Sequence, residues 1–401
     1  MTSEWHEVPL RELVGYISKG IAPSYAEEAS ETTIRVLNQK CNRNFRISYG
    51  DSRLHDTLKK KVPPERYVKP DDILINSTGA GTAGRIAQIE DVPSATTIDG
   101  HMILIRSNGK VTQKFLGYAL KAHQWEVLQL DEGSTGQTEL NRDRLLDEIM
   151  INYPVSFDEQ NAIVGTLESI DRKLIVNKEI NDNLEQQAQS YFQELFVDNA
   201  DPEWTTGTIS DLGAVVGGST PSKAKPEYYT ESGIAWITPK DLSINKSKFV
   251  SHGENDITEL GLKNSSAAIM PEGTVLFSSR APIGYIAIAA GEVTTNQGFK
   301  SVVPKPEIGT PFVYFFLKNT LPVIEGMASG STFKEVSGST MKNVPAVIPD
   351  AETLAKFSDF CAPIFAQQRI LEEQNQSLAT LRDNLLPKLM SGEIDVSAVQ
   401  L

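Results

Sequence analysis

The feature that most constrains this 401-residue chain is that it is written twice. "WHEVPLREL" from Trp5 aligns with "WTTGTISDL" from Trp204, and "TTIDGH" from Thr96 with "TTNQGF" from Thr294. "ILINSTGAGTAGRIAQI" from Ile73 aligns with "VLFSSRAPIGYIAIA" from Val275, the second copy being two residues shorter before the shared Gly84 and Gly284. "EGSTGQTEL" from Glu132 aligns with "SGSTFKEV" from Ser329, and each copy then passes a proline, Pro154 or Pro349, into a long helical pattern. Self-similarity at a fixed shift means a repeated structural unit rather than one large core. The expected order is globule, helix, globule, helix.

The helical patterns are narrow seams. Ile163, Leu167, Ile170, Leu174, Asn177, Asn181, Leu184, Ala188, Tyr191 and Leu195 alternate steps of four and three, the spacing of a coiled-coil stripe. Leu354, Phe357, Cys361, Ile364, Gln368, Leu371, Asn375, Leu378, Leu381, Leu385 and Leu389 nearly repeat it. Two such helices bury their seams against each other. Halves related by an approximate two-fold require an antiparallel pair, with one globule expected at each end. A buried amide facing leucine would lack a partner, so Asn177 is expected opposite Asn375, with Asn181 beside that level. This register sets Ile163 by Leu389, Leu167 by Leu385, Leu174 by Leu378, Ala188 by Ile364 and Tyr191 by Cys361. Pro363 and Pro387 each remove an amide donor, which predicts a kinked second helix with a shorter straight part than the first.

Short apolar runs such as Ile73 to Ile75, Ile86 to Ile89 and Ile103 to Ile105, bounded by Gly, Pro, Asn and Asp, mark the globules as β-rich, with a helical stretch near Phe115 to Gln129. The expected class is α+β: two similar mixed α/β globules separated by a long antiparallel two-helix coiled coil with pseudo-two-fold symmetry. The expected boundaries are 1–155 and 199–350 for the globules, 156–198 and 351–392 for the helices, and 393–401 for a tail.

Net charge is −14, which at first argues against a polyanionic partner. Its distribution weakens the objection. Lys+Arg against Asp+Glu is 3 to 9 over 156–200 and 4 to 7 over 351–401, so nine of the fourteen excess negative charges lie in the two helical segments. Residues 35 to 69 instead hold ten basic residues against Asp51, Asp56 and Glu65. This stretch, with "KKKVPPERY" from Lys59, is interleaved with Phe45, Tyr49, His55 and several asparagines, a mixture suited to holding phosphates beside groups that read base edges. A solvated lysine face is the plain alternative. The candidate DNA-binding residues are Arg43, Arg46, Arg53, Lys59, Lys60, Lys61 and Arg85 in the first globule. In the second they are Lys223, Lys225, Lys246, Lys248 and Arg280.

Chemistry is not expected of this chain. "GAGTAG" from Gly79 spells a dinucleotide-loop pattern, but "RIAQI" after it alternates like a strand where that motif needs a helix. Its repeat partner "SSRAPIG" keeps only the last glycine, so the shared need is a tight turn. The five histidines are dispersed, no nucleophile elbow or phosphate-cradling loop appears, and Asp171-Arg172-Lys173 lies inside the helical seam. Cys41 and Cys361 fit a reducing compartment. With no apolar run near the roughly 18 residues of a membrane span, the expectation is a cytoplasmic protein without membrane contact.

The paired layout, the "GST" segments before each helix, "VLFSSRAPIG" and above all "LRDNLLPKLMSGEI" from Leu381 resemble the specificity subunit of type I restriction-modification systems. The resemblance implies two target recognition domains, each reading half of a bipartite sequence in double-stranded DNA, with the helices as a spacer. It implies a non-catalytic subunit that docks two adenine-N6 methyltransferase subunits and the restriction and translocase subunits. No cofactor is implied in this chain; S-adenosylmethionine, ATP and Mg belong to the partners. The end of the second helix, with Leu385, Leu386, Leu389 and Met390, is expected either to pack near Trp5 or to serve as a docking surface for a partner subunit. The alternative function is a coiled-coil scaffold whose globules bind protein.

Overall fold

The computed structural model describes residues 4–132, 139–330 and 334–399. The "GST" segments fall largely outside this range, at 133–138 and 331–333. Contacts divide the chain into two compact units, Met1–Leu174 with Leu378–Leu401, and Ile175–Ser377. Each unit holds one globule and a part of both long helices.

In the first unit the central sheet runs Val14–Lys19, Met102–Ser107, Ile73–Asn76, Ile86–Gln88, all antiparallel. Residues 73–76 are buried along their whole length because the sheet is covered on both faces. Successive side chains alternate between faces. Ile73, Ile75, Ile103 and Ile105 enter a core shared with Phe115, Leu116 and Ala119 of helix Gln113–Ala122, whereas Leu74, Met102 and Leu104 enter a smaller core with Leu37 and Ile98. That smaller core belongs to a second sheet, ordered Thr96–Ile98, Thr33–Leu37, Arg53–Asp56, Tyr25–Ala26. Trp5–Pro9 pairs with Met150–Pro154 and closes the globule.

The second unit repeats this plan. Gly213–Gly217, Lys300–Pro304, Val275–Ser279 and Ile283–Ala289 reproduce the central sheet. Tyr229–Thr230, Asn255–Ile257, Ile234–Ile237 and Thr294–Thr295 reproduce the second, including its one parallel pairing. Thr205–Thr208 pairs with Pro345–Ile348. Val275, Phe277 and Val302 face the core that holds Phe312 and Phe315 of helix Thr310–Met327; Leu276, Ala287 and Phe299 face the opposite one. One strand is added, Phe249–Val250, parallel to Ile283–Ala289. Its counterpart in the first unit is a single parallel bridge from Phe45 to Ala87.

The glycine-rich stretch is a turn between antiparallel strands. Gly79, Gly81 and Gly84 all have positive φ. Gly84 and its partner Gly284, with φ of 82° and 95°, also stand where a Cβ would lie 2.9 Å from Val127 O and 2.7 Å from a Leu321 methyl. A positive φ and the close approach of a helix explain why this glycine stands in both copies.

The long helices are Phe157–Gln193, followed by a π-helical turn Glu194–Asp198, and Ala351–Met390. The second runs as one unbroken helical span through Pro363 and Pro387. A proline deletes one backbone bond, and apolar burial on either side holds the helix regardless: Cys361, Ile364, Leu386 and Leu389 are all buried. Leu381 does not belong to the seam. It is 41% exposed, and Arg382 turns inward at that level to meet Asp171.

Candidate nucleic-acid interface

The basic stretch of the first unit folds into two separate groups. Arg43 and Arg46 face each other across a hairpin, Asn42–Arg43 with Arg46–Ile47, whose two turn residues Asn44 and Phe45 have φ of 53° and 61°. Positive φ at both turn positions matches the right-handed twist of a tight hairpin. Buried Asn42 pins it down by donating to Asn76 Oδ1 at 3.2 Å and to Arg85 O at 2.8 Å. Arg85 in turn donates to Gly81 O at 3.0 Å, so hairpin and glycine turn form one hydrogen-bonded cluster. Arg43 is exposed, and Arg46 lies 3.7 Å from Glu90.

The other group sits on and after the strand Arg53–Asp56. Arg53 stacks on the Tyr25 ring at 3.4 Å, Lys59 lies 3.7 Å from Asp56, and Lys60 donates to Ala22 O at 2.8 Å. Lys61 is exposed. Beside them is a feature not singled out from the sequence, an open cleft of about 460 Å³ lined by Arg35, Thr33, Ser30, Ser52 and Ser94 among others. Arg35 donates to Ser52 Oγ at 3.1 Å, which presents a guanidinium among hydroxyls at the mouth of a sheet. Its signal was the alternation of "TTIRVL", which places Arg35 on the polar side of its strand.

In the second unit Lys223 and Lys246 are exposed, and Lys225 stands 5.2 Å from the Tyr228 ring. Arg280 and Lys300 both pair with Glu335, at 3.3 and 3.6 Å, so Arg280 is partly neutralised. Lys248 is a correction. It is 7% exposed, ion-paired with Glu185, and donates to Gln368 Oε1 at 2.7 Å, so its charge is used inside the fold and cannot meet a phosphate. Burial pulls its pKa below the ordinary lysine value against the attraction of Glu185. Burial works against ionising Glu185 too, yet Lys248 and Lys318 hold its carboxyl below the usual range.

The proposed docking residues are the second correction. Leu386, Leu389 and Met390 are buried in the core of the first unit with Ile163 and Leu167, and Leu385 packs against that core. Leu386, Leu389 and Met390, so committed, cannot also form a partner's surface. The chain after them turns at Gly392, φ 74°, whose Cα lies so close to Trp5 that a Cβ would stand 2.9 Å from the indole. In the second unit the first helix ends against an equivalent tryptophan, Phe196 and Trp204 having ring centroids 5.9 Å apart.

The seam amides meet inside the second unit. Asn177, fully buried, donates to Asn375 Oδ1 at 3.0 Å, while Asn181 Nδ2 reaches the Gln368 carbonyl at 3.5 Å and Gln368 Nε2 donates back to Asn181 O at 3.2 Å. Contacts whose numbers rise on one helix and fall on the other define an antiparallel pair. Among the described residues no helix is long and apolar enough to cross a membrane, and no group of three or more His, Cys, Asp or Glu could hold a metal ion.

The chain is 39% identical over 194 residues to the type I restriction enzyme MjaIX specificity subunit of Methanocaldococcus jannaschii, covering 46% of this chain and 45% of that one. It is 27% identical over 194 residues to the HindI specificity subunit of Haemophilus influenzae, covering 48% and 42%. Each of these alignments spans less than half of the relative. A putative MjaX specificity subunit of M. jannaschii aligns over 98% of this chain and 94% of its own, at 19% identity. In fold the chain is similar to the crystal structure of a type I restriction-modification S subunit from M. genitalium, with a TM-score of 0.62, 17% identity, and 97% and 99% of the two chains covered. A sequence model described as the type I restriction modification DNA specificity domain matches residues 2–186 and again 202–381, nearly the whole chain, and this protein belongs to that family.

Proposed function

We propose that this chain is the sequence-reading subunit of a type I restriction-modification complex, each globule recognising one half of a bipartite site in double-stranded DNA. The observation that carries the reading is the repetition itself. Two globules of one topology rest on the same helix pair, and each is matched separately by the specificity-domain model. Their basic side chains differ: Arg43, Arg46 and Arg53 belong to one globule, Lys223, Lys225 and Lys246 to the other. Readers of unlike half-sites call for such differences. The chain contributes no catalytic group in this reading. It docks two adenine-N6 methyltransferase subunits and the restriction and translocase subunits, which supply S-adenosylmethionine, ATP and magnesium chemistry. With a net charge of −14, strong DNA binding requires the assembled complex.

The test is methylation-sensitive sequencing of host DNA with the gene intact and deleted. A two-part methyladenine motif that disappears with the gene supports the reading, and an unchanged methylation pattern refutes it. A scrambled duplex that competes as well as the motif would favour a protein-binding scaffold instead.

A further inference from the structure

In each unit, one half-buried carboxylate of the first long helix ties a segment of the globule to the helices. In the first unit Asp171 accepts hydrogen bonds from Tyr118 Oη at 2.9 Å, Lys121 Nζ at 3.2 Å and Arg382 Nη1 at 3.1 Å. The Lys121 ammonium also stands 5.1 Å from the centre of the Phe45 ring, the tip of the Arg43–Arg46 hairpin. In the second unit Glu185 accepts from Tyr314 Oη at 3.1 Å and Lys318 Nζ at 2.5 Å, and pairs with Lys248. Glu372 accepts the backbone N–H groups of Lys248 and Phe249, at 2.8 and 3.0 Å.

The two arrangements share a tyrosine and a lysine from the same globule helix, while the third cation comes from the second long helix in one, Arg382, and from the globule in the other, Lys248. Tyr118 and Lys121, like Tyr314 and Lys318, come from the helix that follows the central sheet. Phe45 and Phe249 make parallel bridges to corresponding strands, at Ala87 and Ile288, one residue apart in register. The same chemistry recurs through different residues, Asp in one copy and Glu in the other, "YALK" in one and "YFFLK" in the other. A partly buried ion cluster is a poor way to gain stability, since apolar side chains of similar volume often do as well. What it adds is direction, because charged hydrogen bonds fix distance and angle.

We propose that Asp171 and Glu185 are positioning residues that fix the register of the Asn42–Ile47 hairpin and of the Phe249–Val250 strand on the helix pair, and through them the spacing of bases the subunit accepts. This rests on the bipartite DNA reading above. Neither carboxylate touches DNA in this account.

The experiment uses the complex of this chain with its methyltransferase subunits, selecting bound duplexes from a library in which the gap between half-sites varies. The variants are Asp171→Asn, Glu185→Gln, the conservative Asp171→Glu, and the apolar pair Lys121→Met with Asp171→Leu. Wild type is expected to select one gap. In Asp171→Asn and Glu185→Gln the preference for that gap over gaps one base pair longer or shorter falls about tenfold, the order of one mismatched base pair, while affinity for random duplex stays the same. Asp171→Glu recovers part of the preference. The apolar pair folds, as circular dichroism and thermal melting report, yet does not recover it. Should Asp171→Asn fail to fold, the apolar pair and Glu185→Gln carry the same comparison. An unchanged gap preference in folded variants, or full recovery by the apolar pair, overturns the positioning role. A wild-type complex that selects no two-part motif overturns the DNA reading, and this proposal with it.

Discussion

Leu389 lies at the far end of the chain from the strands it protects, which makes Leu389→Ala a sharp test of how the first unit is built. The side chain is fully buried in the core that contains Ile103, Ile105 and Phe115. Truncating a buried leucine removes its transfer energy and leaves a cavity, together about 2–5 kcal/mol. Taking about 3 kcal/mol, and a factor of ten for every 1.4 kcal/mol, local opening becomes about 10²-fold more frequent. The assay is native-state hydrogen exchange followed by mass spectrometry. Amides of Met102–Ser107 and Gln113–Ala122 are expected to lose about two decades of protection. Amides of Val275–Ser279, in the other unit, serve as the internal reference for the change. If protection of Met102–Ser107 is unaltered, the helix end is not part of that core and the assignment of the C-terminal segment to the first unit is wrong.

Four further outcomes follow from the same structure. Gly392→Ala forces a side chain into the left-handed region and against Trp5, so thermal melting should show a loss of about 1–3 kcal/mol, with tryptophan fluorescence shifted to the red. Lowering pH should destabilise both units as it falls through the depressed pKa values of Asp171 and Glu185; stability from these groups is complete above the ordinary carboxylate range near about 4 and is lost below it, and Asp171→Asn should flatten that limb of a denaturation series. Lys248→Met and Arg43→Ala should differ in kind: the first removes one partner of a buried pair and costs stability of about 3–5 kcal/mol, whereas the second leaves melting unchanged and lowers the salt slope of DNA binding by about 1. Asn177→Ala removes a buried amide that bonds Asn375 and should lower the denaturation midpoint by an amount equal to about 1–3 kcal/mol; no change would mean the seam amides carry no pairing energy.

The architecture was legible because its signals are local and periodic. A seam of three-and-four spacing needs no knowledge of neighbours to be recognised, and two copies of one segment order predict two globules of one topology. Pattern alone stopped short where a residue's surroundings come from distant sequence. Lys248 reads as one more lysine in a basic segment, and only packing against residues 185 and 368 shows it to be internal. Leu386 and Met390 read as a candidate docking surface because the strands that cover them lie nearly three hundred residues earlier. Leu381 fits the heptad, yet Arg382 takes the inward position because Asp171 offers it an ion pair.

The amino-acid order by itself determined the count of globules, the two-helix seam, the turn at Gly84 and Gly284, and the family to which the chain belongs. Burial was decided only in three dimensions, since an ammonium or a leucine is interior or exterior according to what the rest of the fold places against it. That environment is set by long-range closure of the sheets over the helices, and no window of consecutive residues contains it.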